Sequence, residues 1–99
     1  MLIKGVTTEE EKVIKSIIEP YISEYNFYCY GSRVKGNFRF LSDLDIMVKG
    51  DKPIDVNVIT DLKEKFDISN LSYVVNISDY YQMDEKFYRL IEQDLVKIN

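Results

Sequence analysis

Ninety-nine residues with 45% apolar and 30% charged side chains make one small globular domain spanning 1–99, with no length left for a second core. Seventeen Asp and Glu against thirteen Lys and Arg give a net charge of −4, which excludes the broad basic face that extended nucleic-acid binding needs. No histidine is present, so His-ligated zinc and His acid–base or nucleophilic catalysis are excluded too, and chemistry is left to carboxylates, Lys, Arg, Tyr, Ser and the single thiol of Cys29.

The opening Met1-Leu2-Ile3-Lys4-Gly5 lacks the apolar segment of a secretory signal, and no apolar run approaches the roughly 18 residues that span a bilayer. A lone cysteine cannot close an internal disulfide, so a cytoplasmic protein is expected. The first predicted element is a helix. Thr7 and Thr8 stand three residues before Glu10 and Glu11, either pair making a capping box, and Val13, Ile14, Ile17 and Ile18 recur at helical spacing before Pro20. The acidic Glu9-Glu10-Glu11 reads as a favoured charge at the helix start rather than a metal site. Asn26 to Tyr30 is aromatic-rich and ends at Gly31, a buried strand. Asp43 to Val48 follows a polar loop as a second strand, closed by the turn around Gly50-Asp51-Lys52-Pro53. The stretch from Asp55 to Phe66 begins with strand-like alternation. Its Leu, Lys and Glu content and the spacing of Ile59, Leu62 and Phe66 favour a helix. Leu71 to Ser78 is a third strand, Asp84 caps a last helix with Phe87, Leu90 and Ile91, and Leu95 to Ile98 is a short extended tail. This order predicts an α/β (α+β) fold, a small mixed sheet of three to four strands with helices packed over it. The eight tyrosines read as amphipathic residues at core margins.

The segment richest in chemistry runs from Gly31 to Asp45. A strand that ends in Gly31-Ser32 and enters a helical turn offers backbone N–H groups, the glycine lets a phosphate approach the main chain, and the Ser32 hydroxyl adds a donor. Arg33, Lys35 and Arg39 place three cations within seven residues, a local inversion of charge that suits a triphosphate. Asp43 and Asp45 are two apart, so both carboxylates project from one face of the strand. Adjacent carboxylates repel, and a hard cation is the usual reason to keep them together. Magnesium takes one or two carboxylates plus substrate phosphate oxygens, and two such ions clamp the attacking and leaving oxygens of nucleotidyl transfer. Each part alone is weak. Together, four specified residues at fixed spacing arise by chance in on the order of one in a thousand chains of this length.

At these residues the sequence resembles the minimal nucleotidyltransferase (MNT) branch of the DNA polymerase β-like nucleotidyltransferase superfamily. Gly31-Ser32, ten residues and Asp43-x-Asp45 match its signature, and Gly-Ser-Arg-Val-Lys-Gly and Ser-Asp-Leu-Asp look like that branch. The resemblance covers essentially the whole chain. It implies a nucleotidyltransferase-like fold using ATP and Mg2+, with Gly31, Ser32, Arg33 and Lys35 holding the nucleotide and Asp43 and Asp45 holding the metals. The family sets a third catalytic carboxylate on the next strand. Here Asn76 aligns with it, a neutral oxygen ligand that supplies no charge to a second ion and accepts no proton near neutral pH. Asp79 is expected to face the other side of that strand, and Asp84 and Glu85 to start the last helix.

The branch looks like the antitoxin half of HEPN–MNT toxin–antitoxin pairs, which implies a protein adenylyltransferase that moves AMP from ATP onto a tyrosine of a HEPN toxin partner. The second reading is a binding module of the same fold, a weak or inactive catalyst because of Asn76, that neutralises a partner by direct contact, with Tyr80 and Tyr81 as candidate interface residues. A drug-modifying nucleotidyltransferase is disfavoured, because there is no second domain to hold a small acceptor. No membrane partner and no extended nucleic-acid surface are expected.

Overall fold

Thr7 sets the first helix. Its hydroxyl accepts the Glu10 N–H and the Glu10 carboxylate accepts the Thr7 N–H, closing the expected capping box ahead of α1 (Thr8–Ile18). The structure is a computed structural model that describes residues 3–99. Glu19–Tyr21 tightens into a 3-10 turn at Pro20, and the chain enters β1 (Asn26–Tyr30). Gly31 bends it into the single turn α2 (Ser32–Lys35). After a polar loop come β2 (Leu44–Lys49) and α3 (Val56–Asp67), the latter capped by the Asp55 side chain on the Asn57 N–H. That cap decides the ambiguous stretch in favour of helix. Strand β3 (Val75–Asp79) is shorter than its expected span from Leu71, because Leu71 to Val74 forms the approach to the sheet. Asp84 caps α4 (Glu85–Ile91) through the Phe87 N–H, and the tail becomes β4 (Val96–Lys97).

The four strands lie in the order β3-β2-β1-β4. β1 runs antiparallel to β2 and β4, and β2 runs parallel to β3, so α3 is the crossover that a parallel pair requires. Alternation along the strands divides the side chains between two faces. Phe27 and Cys29, Leu44, Ile46 and Val48, and Val75 and Ile77 join α1 and α3 in one core with Ile14, Ile18, Leu62 and Phe66. The opposite face carries Tyr28 and Tyr30, Asp45 and Met47, Asn76 and Ser78. There α4 contributes Ile91 to a small second cluster with Tyr30 and Met47. The helices thus close one face completely and the other only in part, and the candidate chemistry lies on the partly open side. No helix among the described residues is long and apolar enough to cross a membrane.

Candidate functional site

The register of the sheet assembles the site. Tyr30, the last residue of β1, stands opposite Asp45, and Asp45 stands opposite Asn76. Asp43 precedes β2 by one residue and returns to the same cluster. The Asn76 amide nitrogen donates at 3.0 Å to Asp43 Oδ2 and at 3.0 Å to Asp45 Oδ1, one N–H to each carboxylate. Its two donors thus bridge two negative groups that otherwise repel. Among the described residues no group of three His, Cys, Asp or Glu side chains forms a metal cluster; the set here is two acids and one amide.

Gly31 meets this cluster from the neighbouring strand. Its φ of +89° lies in a region L side chains rarely adopt, and a Cβ there would collide with Asp45 Oδ2. The glycine–serine corner and the acid pair therefore share one site. The N–H groups of Ser32 and Arg33 open α2 and have no carbonyl one turn back inside it, whereas those of Val34 and Lys35 already bond the Gly31 carbonyl, each at 3.1 Å.

Burial pushes the Asp45 carboxyl above its ordinary value; the Asn76 amide opposes this and the charge of Asp43 reinforces it. Burial also raises the Tyr30 phenol, opposed by its contact with Ser78 and assisted by Asp45. Behind the acids, Cys29 is fully buried, and burial together with the Asp45 charge pushes its thiol up to about 12. Such a thiol is no nucleophile at neutral pH.

The two cations expected at the nucleotide both have partners within the fold. Arg33 is 3% exposed, and its guanidinium donates to the carbonyls of Gly5 at 2.6 Å, Ser42 at 2.7 Å and Phe40 at 2.7 Å while stacking 3.6 Å over the Tyr73 ring. It fastens the loop between α2 and β2, with Nε, Nη1 and Nη2 each bonded to a main-chain carbonyl. Lys35 remains half-exposed, with Nζ 3.5 Å from Asp94 Oδ2, a weak surface pair a ligand can displace. Asp79 is a structural acid as well, accepting the N–H groups of Ile54 and Tyr81, both at 3.0 Å. Tyr80 stacks edge-on to Tyr81 and Tyr88, under Lys49, and the Tyr81 hydroxyl donates to the Gly50 carbonyl.

The residues not anticipated from sequence are Tyr30, Ser78 and Phe87. The Tyr30 hydroxyl lies 3.5 Å from Ser78 Oγ, and its ring meets Phe87 of α4 edge-on at 6.0 Å, forming a wall beside the acids. The one sequence signal was Tyr30's place next to Gly31; Ser78 and Phe87 arrive only through pairing and helix packing.

Comparison with known proteins agrees with this fold. A family model described as polymerase beta, nucleotidyltransferase, matches residues 12–98. The chain is 32% identical over 93 residues to the probable protein adenylyltransferase MntA of Haemophilus influenzae, covering 94% of this chain and 82% of that protein. In fold it is similar to a crystal structure of a toxin–antitoxin with AMP-PNP, with a TM-score of 0.72 and 21% identity, over 90% of this chain and 72% of that one. A crystal structure of a variant of the toxin–antitoxin MntA–HpeT gives a TM-score of 0.70 at 19% identity, over 90% of this chain and 71% of that one.

Proposed function

The chain belongs to the polymerase β nucleotidyltransferase family, and from that premise we propose that it is an antitoxin acting as a magnesium-dependent protein adenylyltransferase, moving AMP from ATP to a tyrosine of a HEPN toxin partner. The observation that carries this reading is the contact of Asp45 with Gly31, which sets a metal-type acid pair against a phosphate-type corner.

The donor set fits a hard cation. Asp43 and Asp45 present carboxylate oxygens, and Asn76, now bonded through its amide nitrogen to both, offers its own oxygen after half a turn of the amide. Asp43, Asp45 and Asn76 would hold magnesium, which when bound neutralises charge on phosphate oxygens. Gly31 admits the triphosphate against the main chain, Ser32 donates its hydroxyl and N–H, and Lys35 leaves Asp94 to meet the phosphates. The acceptor tyrosine oxygen forms the new bond to the α-phosphorus as the bond to pyrophosphate breaks. The phenolic proton passes to one of the two carboxylates or to water, since Asn76 takes none.

The Asn76 bridge also favours a second reading, a partner-binding module with little turnover. Incubation with α-labelled ATP, magnesium and the protein encoded by the adjacent gene, alongside an Asn76→Asp variant, separates the two. Label on the partner from the unchanged protein is the expected result. Label only with the variant selects the binding module, and failure of both proteins to retain ATP in a magnesium titration overturns the nucleotide site itself. Asp43→Ala and Asp45→Ala are expected to abolish transfer with the fold intact.

A further inference from the structure

A cavity of about 560 Å³ lies along the free edge of β3 between the starts of α3 and α4. Val56 and Ile59 of α3, Ile77 of β3, and Met83 and Phe87 beside or on α4 form its apolar wall, with Lys63 at the α3 side. It reaches the acid cluster through shared residues. Ser78 and Phe87 both line it, both contact Tyr30, and Tyr30 stands opposite Asp45.

Its position relative to the reaction selects its occupant. The phosphate-type corner, Gly31-Ser32, lies at the β1 side of the acid pair, and Asp45 belongs to β2. Attacking and leaving oxygens lie roughly in line in such a transfer. With pyrophosphate departing towards β1 and α2, the attacking hydroxyl comes from the other side, which in the order β3-β2-β1 is β3. The strand itself is suited to a polypeptide. Val74 O accepts the Leu44 N–H at 2.9 Å, so Val74, Asn76 and Ser78 turn their backbone groups to β2, and Val75, Ile77 and Asp79 turn theirs outward along the edge. An outward row of N–H and C=O groups is a template for one more extended segment. Ser78 lies two strand residues, roughly 7 Å, from Asn76, about the reach of a tyrosine side chain.

We infer that this groove at the β3 edge seats the acceptor protein, an extended segment that pairs with β3 and directs its tyrosine hydroxyl towards Asp45 and Asn76. The inference rests on the transferase reading for the tyrosine, but the docking surface can be judged without it.

Val56 is 72% exposed and stands outside the acid cluster, so Val56→Arg fills the groove without touching the core. Ile68→Arg, at an 84% exposed position beyond the other end of α3, is the control. The readouts are labelling of the adjacent-gene protein by α-labelled ATP, magnesium-ATP affinity, partner affinity by calorimetry, and mass by sedimentation. Val56→Arg is expected to raise the KM for the partner at least tenfold and weaken partner binding equally, with ATP affinity and mass unchanged, while Ile68→Arg matches the parent. Unchanged partner affinity in Val56→Arg overturns the inference. So does an equal loss of ATP affinity, which assigns the groove to adenosine, or a change of mass, which assigns it to a second copy. If the parent binds the partner without labelling it, the transferase reading fails, and a tenfold loss of partner affinity in Val56→Arg still upholds the docking surface. If the parent does not bind the partner, both fall.

Discussion

The two faces of the sheet are made by the same strands and do opposite work. On one, Phe27, Cys29, Leu44, Ile46 and Val48 vanish under α1 and α3 into a dry core. On the other, the intervening residues Tyr30, Asp45, Met47, Asn76 and Ser78 are covered only in part, by α4 and the turns that flank it, and Asp45 and Asn76 lie at the strand ends beside Gly31. A small domain has too little apolar surface to leave both faces open. The closed face supplies the stability that lets the open one keep a mutually repelling acid pair, Asp43 exposed and Asp45 half-buried.

The strongest way to break this division is a cavity in the closed face. Phe27→Ala, at a fully buried position, is expected to lose about 3–5 kcal/mol, read as a lower urea midpoint, and to lose nucleotide binding only as the protein unfolds. Next comes Arg33→Ala. A nucleotide ligand would change ATP affinity and spare the fold. A residue bonded to three carbonyls is expected to cost about 3 kcal/mol, and Arg33→Lys, which lacks the planar fork, is not expected to restore it. Equal thermal midpoints for Arg33→Ala and the parent, with ATP affinity lost, would favour the nucleotide role instead.

Gly31→Ala tests the open face. Positive φ and the collision with Asp45 are expected to cost about 1–3 kcal/mol while ATP binding falls far more than the fold does; calorimetry and thermal melting together give the ratio. The smallest effect is Asp45→Asn. Because burial raises the Asp45 carboxyl, the folded state penalises the charged form. The penalty is fully present above the folded pKa and disappears below the unfolded one. Asp45→Asn is therefore expected to melt slightly higher than the parent at pH 7, with the gap closing as pH falls through the carboxylate range, even though transfer is lost. A lower melting point at pH 7 would make Asp45 a structural acid.

The division between the faces was partly legible in advance. Period-two alternation in Asp43-Leu44-Asp45-Ile46-Met47-Val48 put both acids on one side, and the apolar periodicity of α1 announced a buried stripe. The carbonyl contacts of Arg33 were not legible, because a cation beside Gly-Ser looks the same in sequence whether it faces a phosphate or a ring of carbonyls. Its partners Gly5, Phe40 and Ser42 come together only when the loop closes. Ser78 and Phe87 were invisible for a related reason: β3 reaches β2 through a crossover, and α4 reaches Tyr30 through packing.

The sequence by itself determined the elements, the face each strand buries and the two local motifs of the site, because backbone periodicity, caps and a glycine bend act over a few residues. The tertiary structure decided what no local rule carries. It pressed Gly31 against Asp45, laid the Asn76 amide across both carboxylates, withdrew Arg33 into the loop and left the β3 edge open, since each of these depends on strand register and on contacts between residues distant in the chain.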